Sequence, residues 1–466
     1  MRSLFLRAAL IAGMIASPAA AQDEIHAYVL LAPSPDGAVA LARVVVAAGR
    51  DCPALRFEDG SEAAMSRRTN PHPATFPIEV CEARYPFGRS ATIVGTELRL
   101  PAVSPEPTRL TVIGDTGCIG GTVQDCAAAA AWPFAGLAST AARTPPELVI
   151  HVGDYNYRGT PGEVTIGRVT RPVYDAGDNT SGPHCRSPDG YVSQNVPGSN
   201  HFDNWDDWRD DFFAPARPLL LAAPWVFVRG NHELCSRAGF GWFYLLDPGS
   251  ALLGGDAAQR SCPDQTSTEP MLFTPPYGLD LGTLGLAVVD SANACDQGTN
   301  FPQTYARQLA RVGRVTPDLP SWLLTHRPLW GMREDDATMQ VINQTLQQAL
   351  RAQPDGKLPE KFELVLSGHM HRFQAVSFTG GRPPQLIIGN GGGILSSDPP
   401  NGPFAATIDD APATGVSRDA FGFLELTLAP DGSWQGQVVN PLMAPDQRLI
   451  ATCGTSEADL CTLATE

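Results

Sequence analysis

Two histidines one residue apart, His369 and His371, follow the apolar run 362–366 through Ser367-Gly368. At a strand end, imidazoles in a His-x-His set lie along a common edge, where they can be passed to two neighbouring metal ions rather than one. Read this way, they are the junction of a dinuclear site. Three other apolar runs end in glycine and polar residues, and a fourth in polar residues alone. The run 109–113 leads to Gly114-Asp115-Thr116-Gly117, 147–152 to Gly153-Asp154-Tyr155-Asn156-Tyr157, 225–228 to Arg229-Gly230-Asn231-His232-Glu233, and 321–325 to His326. Carboxylates, imidazoles, an amide and a phenol are all competent metal donors.

A Gly-Asp pair at a strand end is commonly only a turn. Five such blocks in order, each closing a strand, are far more specific. Together they resemble the blocks of the purple acid phosphatases, within the calcineurin-like metallophosphoesterases, over roughly residues 108 to 440. Two residues narrow the likeness: Tyr157, three residues after Asp154, and Gly117, where the wider superfamily usually has a histidine. A phenolate in place of that imidazole favours hard trivalent iron. Leu323 departs from the usual valine of the fourth block, but it is an apolar strand position and leaves His326 in place.

The resemblance implies a dinuclear centre of Fe(III) with a divalent ion (Fe, Zn or Mn). On that reading Asp115, Tyr157 and His371 hold the iron, Asn231, His326 and His369 hold the second metal, and Asp154 bridges them. Three anionic ligands against roughly five positive metal charges leave about +2 to attract a phosphate. Two ions roughly 3.5–4 Å apart can clamp the attacking and leaving oxygens of an in-line displacement. His232 is expected beside the metals, binding the phosphate and protonating the leaving alkoxide, a role that suits imidazole. Glu233 is expected to orient it.

Several nearby residues have plainer uses. His151, inside an apolar strand, reads as a satisfied interior histidine. Tyr155 is as able as Tyr157 to cap a core, and the three-residue step from Asp154 favours Tyr157 for the site. Arg229 and Arg327 read as structural ion-pair partners and Asp290 as structural. Gly391-Gly392-Gly393 lacks a following P-loop lysine and reads as a close backbone turn near the site. His184 and His201, in or beside a Gly-, Pro- and Ser-rich loop 159–200, take no assignment.

The blocks need a scaffold of strands whose exposed ends hold loops still. The expected fold class is α/β: a four-layer α/β/β/α metallophosphoesterase sandwich spanning 106–466, preceded by a smaller N-terminal β-sandwich domain at 22–105. Short β-type runs between prolines and glycines suggest the latter, and the proline-rich stretch 101–107 reads as its linker. Phe202, Trp205, Trp208 and Phe212 recur at helical steps, predicting a helix whose aromatic stripe packs on the sheet and whose Asp203, Asp206, Asp207, Asp210 and Asp211 form a solvated face. Pro430-Asp431-Gly432 predicts a hairpin turn.

Residues 1–21 combine a basic start, a short apolar core and an Ala-x-Ala end, the pattern of a secretory signal cut after Ala21. No second run is long enough to span a bilayer, so no stable membrane insertion is expected. Ten cysteines suit an oxidising compartment, with Cys118/Cys126 and Cys453/Cys461 near enough for local staples and Cys52 and Cys81 bracketing one region. No C-x-x-C pair points to structural zinc. A net charge of −16 argues against a nucleic-acid partner, because phosphate backbones are held by Lys and Arg. The expected partner is a small phosphate ester. Nothing in the sequence specifies an oligomeric state.

The function expected is therefore that of an exported dinuclear hydrolase cleaving phosphate monoesters by attack of metal-bound hydroxide. A phosphodiesterase or nucleotide pyrophosphatase on the same centre is the enzymatic alternative. An exported binding module that keeps the fold without turnover is the non-enzymatic one.

Overall fold

The computed structural model describes residues 24–35, 37–120, 123–158, 164–166, 169–171, 203–235, 237–262, 273–296, 301–335, 338–397, 399–455 and 460–464. The leader 1–21, most of the loop 159–200, and His184 and His201 lie outside the described residues.

Among the described residues, two large sheets face each other. The parallel heart of the first is Arg109–Ile113, Leu148–His151, Trp225–Phe227 and His26–Ser34, side by side in that order. That of the second is Gly285–Val288, Ser321–Leu324, Phe362–Ser367 and Gln385–Ile388. The two-residue period of a strand splits each between two cores. Val112, Ile150, Val226, Leu286, Leu324, Leu366 and Leu386 point into the space between the sheets. Ile113, Val149 and Trp225 point outward against the helices Phe134–Arg143 and Ala214–Leu220. On the opposite flank Ala287, Leu323 and Val365 meet Pro302–Val315 and Gln344–Arg351. These are the four layers, α/β/β/α, that the sequence leads one to expect.

The N-terminal region is β-rich, as expected, and some of its strands extend the first sheet. His26–Ser34 pairs in parallel with Trp225–Phe227 at Leu30↔Trp225, and Gly37–Ala47 and Ile78–Tyr85 continue the same sheet outward. The reason lies in the first strand. Tyr28 and Leu30 face the helical layer while Val29 and Leu31 face the inter-sheet core. A strand apolar on both faces suits the interior of a covered sheet, whereas a sandwich strand alternates. Only the short strands Ala54–Phe57, Glu62–Ala64, Ala91–Ile93 and Arg99–Leu100 form a small sheet of their own.

From Trp205 on the aromatic stripe is helical, as α-helix Trp205–Trp208, a π-helical turn Arg209–Phe213 and α-helix Ala214–Leu220, while Phe202 lies outside the described residues. Its acidic face differs from the expectation. Asp206 is exposed, but Asp203 and Asp211 are buried. Asp203 accepts from Trp208 Nε1 (3.0 Å) and from the backbone N–H of Phe240 (2.7 Å), and Asp211 accepts from Tyr157 N–H (2.8 Å) and pairs with Arg158. Burial pushes both carboxyls up to about 7, against the pull of these donors. The predicted hairpin forms, pairing Phe423–Leu428 with Trp434–Val439.

Disulfides join Cys52–Cys81, Cys118–Cys126 and Cys453–Cys461, the proximities noted above, and also Cys235–Cys262, which sequence separation gave no reason to choose. No helix of the described residues is long and apolar enough to cross a membrane.

Candidate metal centre

The five loops meet at one edge of the paired sheets and are stitched together through backbone. Asp115 N–H donates to Gly153 O (2.9 Å), Thr116 N–H to Asp154 O (3.0 Å), and Gly368 N–H to His326 O (3.0 Å). Asp115 (φ 55°), Asp154 (φ 62°), His369 (φ 75°) and His371 (φ 50°) all occupy the left-handed backbone region. Such conformers cost about 1–3 kcal/mol each and persist where the surroundings over-determine them, commonly at functional sites. Here the donors are visible: His369 N–H binds both Asp115 carboxylate oxygens (3.0 and 2.9 Å), and Asp154 N–H binds Glu233 Oε2 (3.2 Å).

All seven residues singled out as ligands converge. On one side Tyr157 Oη lies 2.9 Å from Asp154 Oδ2, 3.3 Å from Asp115 Oδ1 and 2.7 Å from His371 Nε2. On the other His326 Nε2 lies 2.7 Å from Asn231 Oδ1 and 3.2 Å from Asp154 Oδ2. Two groups of donor atoms, Asp115/Asp154/His371 and Asp154/His326/His369, each gather within 4.8 Å, and Asp154 belongs to both. The His-x-His pair divides between them. Asp115, Asp154, Asn231 and His326 are sealed from solvent and His232 nearly so, while His369 and His371 remain partly open, which gives the site a floor and a lip.

The choice between tyrosines is decided by direction. Tyr155 donates to Val228 O (2.9 Å) and stacks on His151 at 4.0 Å, in the outer core. His151 is itself satisfied by Thr116 Oγ1 (2.9 Å) and Gly153 N–H (3.2 Å), and burial holds its pKa well below the ordinary value, so it is neutral. Gly117 makes room for Tyr157: a Cβ there would stand 2.2 Å from Tyr157 Cδ2 and 2.8 Å from Tyr155 O. A glycine at 117 and a phenol at 157 therefore go together. Gly117→Ala is expected to displace the ring and destabilise the fold by about 1–3 kcal/mol, read as a lower denaturation midpoint. An unchanged midpoint would mean that the two residues do not compete for space.

His232 stands beside the clusters, with Nε2 4.0 Å from Asp154 Oδ2 and its ring 3.9 Å from that of Tyr157. Its partner is not the expected one. The Glu233 carboxylate turns back beneath the Asp154 loop, accepting from the N–H groups of Gly230 (3.0 Å), Tyr155 (2.9 Å) and Asn156 (3.2 Å). Three to four backbone donors outcompete one imidazole for a buried carboxylate, so Glu233 shapes the aspartate turn instead. Arg237 contacts His232, with Nη2 2.6 Å from Nδ1 and 3.2 Å from Nε2. Guanidinium can only donate, so the closer contact makes Nδ1 an acceptor and leaves the ring hydrogen on Nε2.

Residues 108–373, more than half of the chain, match a family model described as calcineurin-like phosphoesterase. The chain belongs to the calcineurin-like phosphoesterases. Among solved structures, the purple acid phosphatase PPD1 from yellow lupin (Lupinus luteus) seeds superposes with a TM-score of 0.53 at 13% identity, covering 94% of this chain and 77% of that one, a likeness of fold. GAP50, described as the anchor in the inner membrane complex of Plasmodium, gives a TM-score of 0.33 at 13% identity over 77% of this chain and 90% of that one, too low to argue from. No curated protein sequence matches significantly.

This calcineurin-like phosphoesterase has one further site residue that the sequence did not single out. Asp296, buried, lies 2.7 Å from His369 Nε2 and also pairs with Arg327 (3.1 Å). Although burial opposes ionisation, His369 and Arg327 hold its carboxyl well below the usual range. A carboxylate on the far nitrogen of a histidine is how such a ring is aimed. Asp296 ends no recognised block, and only its distance from His369 discloses it. Arg229 pairs with Asp290 (3.0 Å), the structural use expected. The glycines 391–393 form a backbone turn, Gly393 N–H donating to Asp115 O (2.7 Å).

Proposed function

We propose that the protein is an exported phosphatase that hydrolyses phosphate monoesters at a pair of metal ions, Fe(III) with a divalent partner. The observation that carries this reading is Asp154, whose carboxylate belongs to both donor clusters, with Tyr157 on one side and Asn231 on the other. The donor chemistry fits the group: Asp115, Tyr157 and His371 would hold the iron, Asn231, His326 and His369 the divalent ion, and Asp154 both. A bound metal pair supplies positive charge to draw the phosphate ester and acidifies water for the attack. The chain does the rest. Its sealed floor fixes the donors, the left-handed turns aim them outward, and His232 presents Nε2–H at the lip, where the leaving oxygen needs a proton. Export is supported by the leader-like residues 1–21 and by the disulfides, which persist in oxidising compartments.

Without cations the site keeps protons. Burial pushes the Asp115 carboxyl well above the carboxylate range and burial with the neighbouring carboxylates pushes the Tyr157 phenol up, while His326 and His232 hold Asp154 well below it despite burial. A cation entering must displace protons from the two raised groups, so uptake releases protons and strengthens as pH rises. Calorimetric titration with Fe or Zn in buffers of different ionisation enthalpy should record net proton release near neutral pH. Uptake without it would count against these groups as ligands.

The direct test is turnover. Activity on an aryl monoester should exceed that on a bis-aryl diester, and the reverse order would favour a phosphodiesterase. Elemental analysis should find two metal ions per chain, and Tyr157→Phe should abolish a visible charge-transfer band. A colourless, iron-free protein with full activity would remove iron from the proposal.

A further inference from the structure

We propose that Arg237 is a substrate-contacting residue: its guanidinium takes non-bridging oxygens of the bound phosphoryl group and leaves His232 Nε2–H for the leaving-group oxygen. This rests on the phosphatase reading above and adds a contact that none of the five sequence blocks contains.

Position is the first argument. Arg237 Nη2 lies 2.6 Å from His232 Nδ1, and His232 Nε2 lies 4.0 Å from the Asp154 oxygen shared by the two clusters. The same Nη2 is 3.2 Å from His232 Nε2, so the guanidinium sits at the ring edge, beside the nitrogen that faces the middle of the site. Arg237 is half-buried, neither sealed in the core nor loose in solvent, at the same lip as His232, His369 and His371. Its Nη2 reaches His232, whose Nε2 faces the carboxylate shared by the two clusters.

Rigidity is the second. Arg237 sits on a tight turn after Asn231–Glu233, with Arg237 N–H donating to Leu234 O (2.8 Å) and Ala238 N–H to His232 O (3.1 Å). Cys235, two residues earlier, is bonded to Cys262. Beneath the turn, Arg229 Nε donates to Glu233 O (2.9 Å) while its guanidinium lies 4.7 Å over Phe243. The backbone that carries Asn231, His232 and Arg237 is thus one braced unit, and a donor held in place before the substrate arrives loses little on binding it.

Chemistry is the third. The floor of the site is built from Asp115, Asp154 and Tyr157, acidic groups that repel a phosphate wherever metal charge does not cover them. A planar guanidinium matches two phosphoryl oxygens at once, a geometry an ammonium lacks. Donating to His232 Nδ1 as well, the same group fixes which ring nitrogen carries the hydrogen.

A guanidinium that contacts phosphate and one that merely orients His232 differ in a double-mutant cycle. Inorganic phosphate is the probe, titrated calorimetrically into metal-loaded wild type, Arg237→Gln, His232→Ala and the double variant. Direct contact predicts that Arg237→Gln weakens phosphate binding about 10- to 100-fold, raises KM for an aryl monoester in step, leaves two metal ions per chain, and still costs about tenfold or more in the His232→Ala background. Arg237→Lys should recover only part, because it keeps the charge and loses the fork. No further loss in the His232→Ala background, or phosphate affinity within about twofold of wild type in Arg237→Gln and Arg237→Lys, overturns the proposal. Wild-type protein that binds two metal ions yet neither binds nor hydrolyses phosphate esters would sink the phosphatase reading itself, before any variant is made.

Discussion

Asp154→Asn is expected to lower turnover on the order of 10³-fold or more and to leave the protein with fewer than two metal ions per chain. The substitution preserves size but replaces one carboxylate oxygen with an NH₂ group and removes the charge. Whichever oxygen is replaced, the contacts on that side are reversed. Asp154 Oδ2 faces Tyr157 Oη at 2.9 Å and His326 Nε2 at 3.2 Å, one from each cluster, while Oδ1 accepts from His232 N–H at 2.9 Å. An amide nitrogen turned towards either cluster would repel a cation, and turned towards His232 N–H it would set donor against donor. Losing a partner behind a ligand typically costs ten- to a hundredfold in affinity, and losing the carboxylate common to both sites should cost more. Elemental analysis beside kcat checks both parts. Full metal content with turnover near wild type would show that Asp154 does not hold the pair.

His232→Ala is expected to act differently, reducing kcat about 10²- to 10⁴-fold with metal content unchanged. The residue belongs to neither donor cluster. Its Nε2 approaches the Asp154 oxygen no closer than 4.0 Å, and its ring lies against Tyr157 rather than beside Tyr157 Oη in the donor set. The loss should be smaller for a nitrophenyl ester than for an alkyl ester, because a good leaving group needs less help from a proton. Kinetics on the two ester types, with metal analysis of the same preparations, separates the roles. Metal loss in this variant would move His232 among the ligands and defeat the assignment.

The parts of the site legible in sequence are those whose geometry is local. His369 and His371 are one residue apart on a strand end, and Tyr157 is three residues after Asp154, so the backbone alone nearly determines where they can point. The inter-sheet packing was legible for a similar reason: the two-residue period assigns Leu324 and Leu366 to one face and Leu323 and Val365 to the other.

The misread residues are those whose environment is made by distant chain. Asp203 and Asp211 look like the wet side of an amphipathic helix, yet Phe240 and Tyr157 donate to them from other elements. Glu233 follows His232 directly but serves the backbone of residues 154–156, some 77 to 79 positions away. Cys235 and Cys262, 27 apart, offered no local reason to pair.

By itself, then, the amino-acid sequence determined the alternation of strands and loops, through period and spacing along one backbone, and it carried the five blocks whose resemblance to a known family implies the fold class and the metal ligands. Only the tertiary structure decided that Gly117 must be empty for Tyr157, that Asp296 backs His369, and that Arg237 rather than Glu233 attends His232. Those are distances between segments far apart in the chain, and a buried donor or carboxylate is claimed by whichever partner packing brings within about 3 Å, wherever that partner lies in the sequence.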